Sequence, residues 1–178
     1  MATLRAYLRG LTAAGSPDLC GLMSKLDRLV AESSSSERYA TIFYGQLDVS
    51  TRKLSYVNAG HPAPLLLRGL GTDSRLIRLD VGGPVIGLLP DCSYAQGTVQ
   101  IETGDVLVAF TDGISEAMDP AGTEWSEERL IATIHTYRSL GVDDLLRRIM
   151  ADALAHIADA PQHDDMTLVV LRFIESAR

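Results

Sequence analysis

Long apolar runs, paired cysteines, basic clusters and aromatic residues are all scarce in this 178-residue chain, and each scarcity closes off a class of function. No apolar stretch approaches the roughly 20 residues that a membrane-spanning helix requires, so no membrane segment is expected. The arginines of the opening MATLRAYLRG interrupt what would have to be an unbroken signal-peptide core. Cys20 and Cys92 form no CxxC pair. That argues against a structural zinc or dithiol redox site and for free, partly buried thiols in a reducing cytoplasm. Sixteen basic residues against 23 acidic give a net charge of −7, and basic runs are no longer than pairs such as Arg147-Arg148. A chain of that balance has no general attraction for phosphate backbones or anionic lipid, so nucleic acid is not an expected partner. One Trp, six Tyr and three Phe offer no stacking platform for bases.

What is present is enough apolar side chain to fold. Hydrophobic residues make up 46% of the chain and charged ones 22%, which suits one domain, here residues 1–178, with a real core. Leu4, Leu8 and Leu11 fall on one helical face, and Gly15-Ser16-Pro17 ends that segment. A second helix follows, with Pro17 in its first turn and Asp18 near its positive end. Leu19, Leu22, Met23, Leu26, Leu29 and Val30 form its apolar stripe, and Ser33 to Ser36 is a polar connector. From Tyr39 the period changes to that of strands. Tyr39–Leu47 and Lys53–Asn58, joined by a turn over Asp48 to Arg52, predict an antiparallel hairpin.

Ala63 to Arg68 predicts a third strand, with Pro62 and Pro64 suggesting an edge or a bulge at its start. A short strand is expected around Leu76 to Leu79, an irregular packed loop over Val81 to Pro90, and a strand over Tyr94 to Ile101. Val106 to Phe110 is apolar throughout, as in a strand buried on both faces. Two helices, Ser126–Tyr137 with Ser126 as N-cap and Val142–Ala158, precede a last buried strand over Met166 to Phe173. Helices segregated from runs of strands predict an α+β fold with largely antiparallel sheet, not a doubly wound one.

Two acidic sites flank the buried strands: Asp112 in Phe110-Thr111-Asp112-Gly113, and Asp164 in His163-Asp164-Asp165. A carboxylate at the mouth of a core strand is rigidly aimed and suits a hard divalent cation such as Mg²⁺ or Mn²⁺. The alternative is plain turn chemistry, with Asp112 capping a turn and Asp164-Asp165 a loop. His61 reads as a buried histidine hydrogen-bonded to backbone, and His163 as a residue pointing away from the acidic pair. No GxSxG elbow, HExxH or P-loop is present.

Five segments, FYGQLD, LSYVNAGHPAPLLLR, GGPVIGLLPD, GDVLVAFTDGISEAMDPAG and HDDMTLVVLR, occur in order over about Leu4 to Arg172. In that order and spacing the chain resembles the SpoIIE-like branch of the metal-dependent protein phosphatases, the PPM family. The resemblance implies an antiparallel β-sandwich flanked by helices, with a binuclear Mn²⁺ or Mg²⁺ centre. It implies attack of a metal-activated water on phosphoserine or phosphothreonine, in bacterial proteins that dephosphorylate antagonists of anti-sigma factors. By motif, Asp112 and Asp164 are metal ligands, Asp165 supports the site, Gly113 allows a tight turn beside the ion, and His61 is structural or pocket-lining. An upstream sensor or receiver domain and a cytoplasmic location follow from the same likeness.

The family's GGD-type strand and GDV-x-G-K/H-G turn, which supply the bridging carboxylate and a carbonyl ligand, have no counterpart in this sequence. The expectation is an N-terminally truncated domain with an incomplete metal site and weak or absent activity. The other reading is a non-catalytic module that binds a partner or self-associates, for instance as a homodimer, through an exposed apolar face.

Overall fold

The computed structural model describes residues 2–13, 18–33, 39–69, 74–89 and 91–175. In chain order these form α1 (Ala2–Ala13), α2 (Leu19–Ser33), β1 (Ile42–Asp48), β2 (Lys53–Ala59), β3 (Leu65–Arg68), β4 (Arg75–Arg78), β5 (Gly82–Gly83), β6 (Gly97–Gln100), β7 (Val106–Phe110), α3 (Asp112–Ser115), α4 (Glu127–Tyr137), α5 (Val142–Ile157) and β8 (Leu168–Arg172). The fold class is α+β with mainly antiparallel sheets, as the sequence pattern predicts. Two compact units divide the chain: Met1–Ala63 with Leu79–Ile101, and Pro64–Arg78 with Glu102–Arg178.

The first unit is held by the stripe on α2. Leu19, Leu22, Met23 and Leu26 are at most 2% exposed and share a core with Val57, Ala59 and Ile86, against which Leu4, Leu8 and Leu11 of α1 also pack. Asp18 caps α2, accepting from the backbone N–H groups of Cys20 and Gly21, both at 3.1 Å. Such a cap contributes about 1 kcal/mol. The helix stop at Gly15-Ser16-Pro17 and residues 34–36 of the connector lie outside the described residues. β1 and β2 form the expected hairpin, in register from Ile42↔Ala59 to Asp48↔Lys53. The stretch from Val81 is more ordered than expected. β5 pairs in parallel with Asn58 and Ala59, and Ile86 bridges Ala40. Glycine makes the parallel pair possible, because a Cβ at Gly82 would stand 1.7 Å from the Asn58 carbonyl oxygen.

The hairpin turn carries a pH signature. Asp48 accepts from the Ser50 hydroxyl at 2.6 Å, from Ser50 N at 2.8 Å and from Thr51 N at 3.2 Å. These bonds, with the Ser50 hydroxyl foremost, hold its carboxyl down at about 2, against an ordinary 3.8. The turn's contribution is therefore complete above pH 4 and lost as the pH falls through about 2. A carboxyl ¹³C titration should show a midpoint near 2, moving upward in Ser50→Ala; an ordinary midpoint in the unmodified protein would contradict this account.

The second unit holds an antiparallel sheet in the order β4-β3-β7-β8. β3 is not an edge or a bulge, as its prolines suggested. Pairing starts at Leu65, after Pro62 and Pro64, so no ladder N–H is lost and the strand lies between β4 and β7. β7 is buried nearly throughout, as expected. β8 corrects the reading of a strand buried over Met166 to Phe173. It is a five-residue edge strand in which Val170 is buried while Val169 and Leu171 are each 47% exposed. An apolar run says nothing about whether both faces are covered. Leu130 and Ile134 of α4 and Leu145, Ile149 and Ala153 of α5 complete the core with Val108, Phe110 and Val170. Ser126 precedes α4 but does not cap it through its side chain. Its backbone φ is 73°, and its hydroxyl bonds the Glu128 carboxylate instead of a backbone N–H.

Candidate functional site

β7 ends at Phe110 and β8 begins at Leu168, and these two residues pair. Beyond them the Thr111 side chain extends the ladder. Thr111 N donates to Thr167 O at 3.1 Å, Thr167 N donates to Thr111 Oγ1 at 2.9 Å, and that hydroxyl donates to Asp165 O at 3.0 Å. Asp112 and the Asp164-Asp165 pair thus leave the same end of one sheet on neighbouring strands. The sequence gives no sign that a threonine joins them. A polar residue at a strand end has no periodic signature.

Asp112 opens α3, a single turn that the sequence pattern did not reveal, closed by Glu116 N donating to Asp112 O at 2.8 Å. Gly113 lies within this turn and not in the left-handed region. Its importance is close approach, and this corrects the expectation of a tight-turn glycine. A Cβ there would meet Asp165 O at 2.5 Å and the Asp164 carbonyl carbon at 3.3 Å.

Both candidate ligand side chains are exposed. Asp112 Oδ1 accepts from Gly113 N at 3.0 Å, and Asp164 Oδ1 from Asp165 N at 2.7 Å. Gln162 Nε2 donates to Asp164 O at 2.7 Å, fixing the loop that carries it. The second oxygen of each carboxylate accepts no hydrogen bond from the described residues. Asp165 is exposed too, and it is its carbonyl that the neighbouring strand grips. Two carboxylates with a free oxygen each fit one hard cation whose remaining positions go to water and phosphate oxygens. Among the described residues no three His, Cys, Asp or Glu side chains group closely enough to hold a metal, so this donor set does not furnish a pair of ions.

Beside Asp164 opens a small cleft of about 80 Å³, lined by residues 113, 116–118, 157 and 161–164. His163 lines it as well. One wall is the loop after Ala117, wound around Asp119, whose carboxylate accepts from Ala121 N at 2.8 Å and Thr123 N at 2.9 Å. These bonds, with Thr123 N the stronger influence, hold the Asp119 carboxyl below its usual range. His156 pins the loop to α5. Its Nδ1 lies 2.8 Å from Arg129 Nη1 and its Nε2 2.9 Å from Thr123 O. Arginine only donates, so Nδ1 accepts and Nε2–H donates, which assigns the neutral tautomer. His61 belongs to the first unit. It is half-buried, with Nδ1 3.2 Å from Thr41 Oγ1, and its N–H and C=O are bound by the side chain of buried Asn58 at 2.8 and 2.9 Å.

The family model described as Stage II sporulation protein E (SpoIIE) matches residues 1–174. Protein IcfG of Synechocystis is 30% identical over 145 residues, which are 82% of this chain and 22% of that protein. Phosphoserine phosphatase RsbU of Bacillus subtilis is 27% identical over 151 residues, 85% of this chain and 44% of that one. The chain therefore spans less than half the length of either relative. Among solved structures, the SiaA-PP2C domain of Pseudomonas aeruginosa superposes with a TM-score of 0.79 at 18% identity, covering 96% of this chain and 67% of the other. At that identity the likeness establishes the fold alone.

Proposed function

The chain belongs to the SpoIIE family, and from that premise we propose that it is a PPM-type protein serine/threonine phosphatase domain in which Asp112 and Asp164 hold a divalent cation. The observation that carries the reading is that Asp112 and Asp164, both exposed, leave the same end of the paired strands β7 and β8. A bound Mn²⁺ or Mg²⁺ would supply a water of lowered pKa and neutralise charge on the phosphoryl oxygens. The chain's own residues do the positioning. Thr111 and Gly113 keep the two loops in contact, and Gln162 sets the loop bearing Asp164. A phosphoserine substrate is supported by the likeness to a phosphoserine phosphatase; a phosphorylated anti-sigma-factor antagonist in the cytoplasm is what the motif resemblance implies. With two carboxylates as the donor set, this chain by itself turns over slowly.

The test is Mn²⁺ binding, followed by the electron paramagnetic resonance of the free ion, together with hydrolysis of a phosphoserine peptide. Asp112→Asn and Asp164→Asn should each weaken Mn²⁺ binding tenfold or more and bring any metal-dependent hydrolysis to background. Binding untouched by either substitution would overturn the assignment. A second reading, an interaction module without turnover, draws on β8, where an edge strand carries exposed Val169 and Leu171. Self-association in sedimentation, lost in Val169→Lys and accompanied by no Mn²⁺ binding, would favour it.

A further inference from the structure

We infer that the cleft beside Asp164 receives one aliphatic side chain of the phosphoprotein, from a residue within three positions of the phosphorylated one. This inference rests on the phosphatase reading and adds a substrate preference to it. Gly113 and Asp164 belong both to the candidate metal site and to the cleft. A phosphorylated side chain held at the carboxylates therefore brings its neighbours in the chain, about 3.8 Å apart from one Cα to the next, to the cleft mouth.

The chemistry of the lining selects the occupant. The floor is apolar: Ala117 and Ile157 are each 7% exposed, and Met118 and Pro161 extend that surface upward. Glu116, Gln162 and His163 are exposed and stand at the rim. Neither the Glu116 carboxylate nor the His163 ring makes a hydrogen bond or ion pair with the described residues, which leaves both to meet the main chain of an extended peptide. An apolar floor with a few polar groups around it is how pockets take a hydrophobic side chain and orient what it is attached to. The carboxylate of Glu116 opposes an acidic occupant of the cleft. About 80 Å³ has room for one aliphatic side chain but not for a helix or a strand.

The cleft is also pre-formed, so little ordering cost attends binding. The Asp119 turn and His156 fix the wall that carries Met118, and the Gln162–Asp164 bond fixes the opposite one.

The experiment uses the full chain with Mn²⁺ and nine-residue phosphoserine peptides carrying Leu, Ala or Glu at each of the three positions on either side. Both kcat/KM and the dissociation constant, by fluorescence anisotropy, are measured. At one position Leu should exceed Ala about tenfold, with Glu below Ala. Met118→Gln, which makes the wall polar at a half-buried site, and Ile157→Ala, which hollows the floor, should both bring the Leu/Ala ratio toward one. Should no peptide be hydrolysed while anisotropy still gives that ratio and its loss in the variants, the cleft stands and the phosphatase reading falls. Equal behaviour of Leu and Ala at all six positions overturns the inference, as does a ratio that survives in folded Met118→Gln.

Discussion

Replacing Asp105 with alanine is expected to lower the unfolding free energy by about 3–5 kcal/mol and the melting temperature by about 10 °C. Asp105 is 1% exposed at the entrance to β7. It accepts from Arg68 Nη2 at 2.9 Å, from Arg68 Nε at 3.2 and 3.3 Å, and from Glu102 N at 2.9 Å. Arg68 closes β3, so the pair locks the ends of two central strands whose Leu67 and Val106 are in register. The hydrogen bonds to Asp105, more than any other influence, raise the arginine's pKa above its ordinary value. Glu102 also pairs with Arg68 at 2.9 Å, but at 57% exposure it adds little.

Alanine would strip a mostly buried guanidinium of its buried acceptor, leaving its exposed pairing with Glu102, and would leave the Glu102 N–H without its acceptor; breaking one side of a buried pair costs far more than the pair contributes when intact. Two further variants separate these terms. Asp105→Asn, which keeps an acceptor for Glu102 N, should fall between alanine and the unmodified protein. The double variant Arg68→Met with Asp105→Leu should recover most of the loss, because neither charge then needs a partner. Urea unfolding followed by circular dichroism reads all three. A loss below 1 kcal/mol in Asp105→Ala would show that the ends of β3 and β7 are held by packing alone.

What could be read from the sequence was what depends on the chain's own period. The stripe on α2, the β1–β2 hairpin, the apolar run of β7 and the helices α4 and α5 all declare themselves through spacing, and each is where its spacing puts it. What could not be read depends on partners distant in the chain. The apolar residues of β8 look the same to a periodicity argument whether one face or two are covered, and its place at the sheet edge decides that Val169 and Leu171 stay exposed. Gly82 reads as a loop glycine until Asn58 is laid against it. The candidate site divides in the same way. Asp112 and Asp164 were legible because an acid at the end of an apolar run is conspicuous. Thr111, Gln162 and the cleft were not, because their roles exist only once β7 and β8 are paired.

Gly113→Ala should cost about 3 kcal/mol and weaken Mn²⁺ binding in the same stroke. Local preference points the other way, since alanine is the better helix former by about 1 kcal/mol and Gly113 lies within α3 at no left-handed φ. Close approach decides the sign. The added Cβ would meet Asp165 O at 2.5 Å, the Asp165 carbonyl carbon at 3.0 Å and the Asp164 carbonyl carbon at 3.3 Å. All three are backbone atoms, so no side chain can swing aside, and the 164–165 segment is tied to β7 through the Thr111 hydroxyl. Relief requires that segment to retreat, which breaks the Thr111–Asp165 bond and separates the carboxylates of Asp112 and Asp164. Stability and metal affinity should therefore fall together, whereas Asp112→Asn should lower affinity with stability nearly unchanged. Gly10→Ala in α1, where an added methyl meets nothing within 4 Å, is the control and should be neutral or slightly stabilising. Calorimetry on the three variants beside Mn²⁺ titrations makes the comparison. If Gly113→Ala kept full affinity and stability, the two acidic loops would not depend on each other, and the case for one cation between them would lose its structural basis.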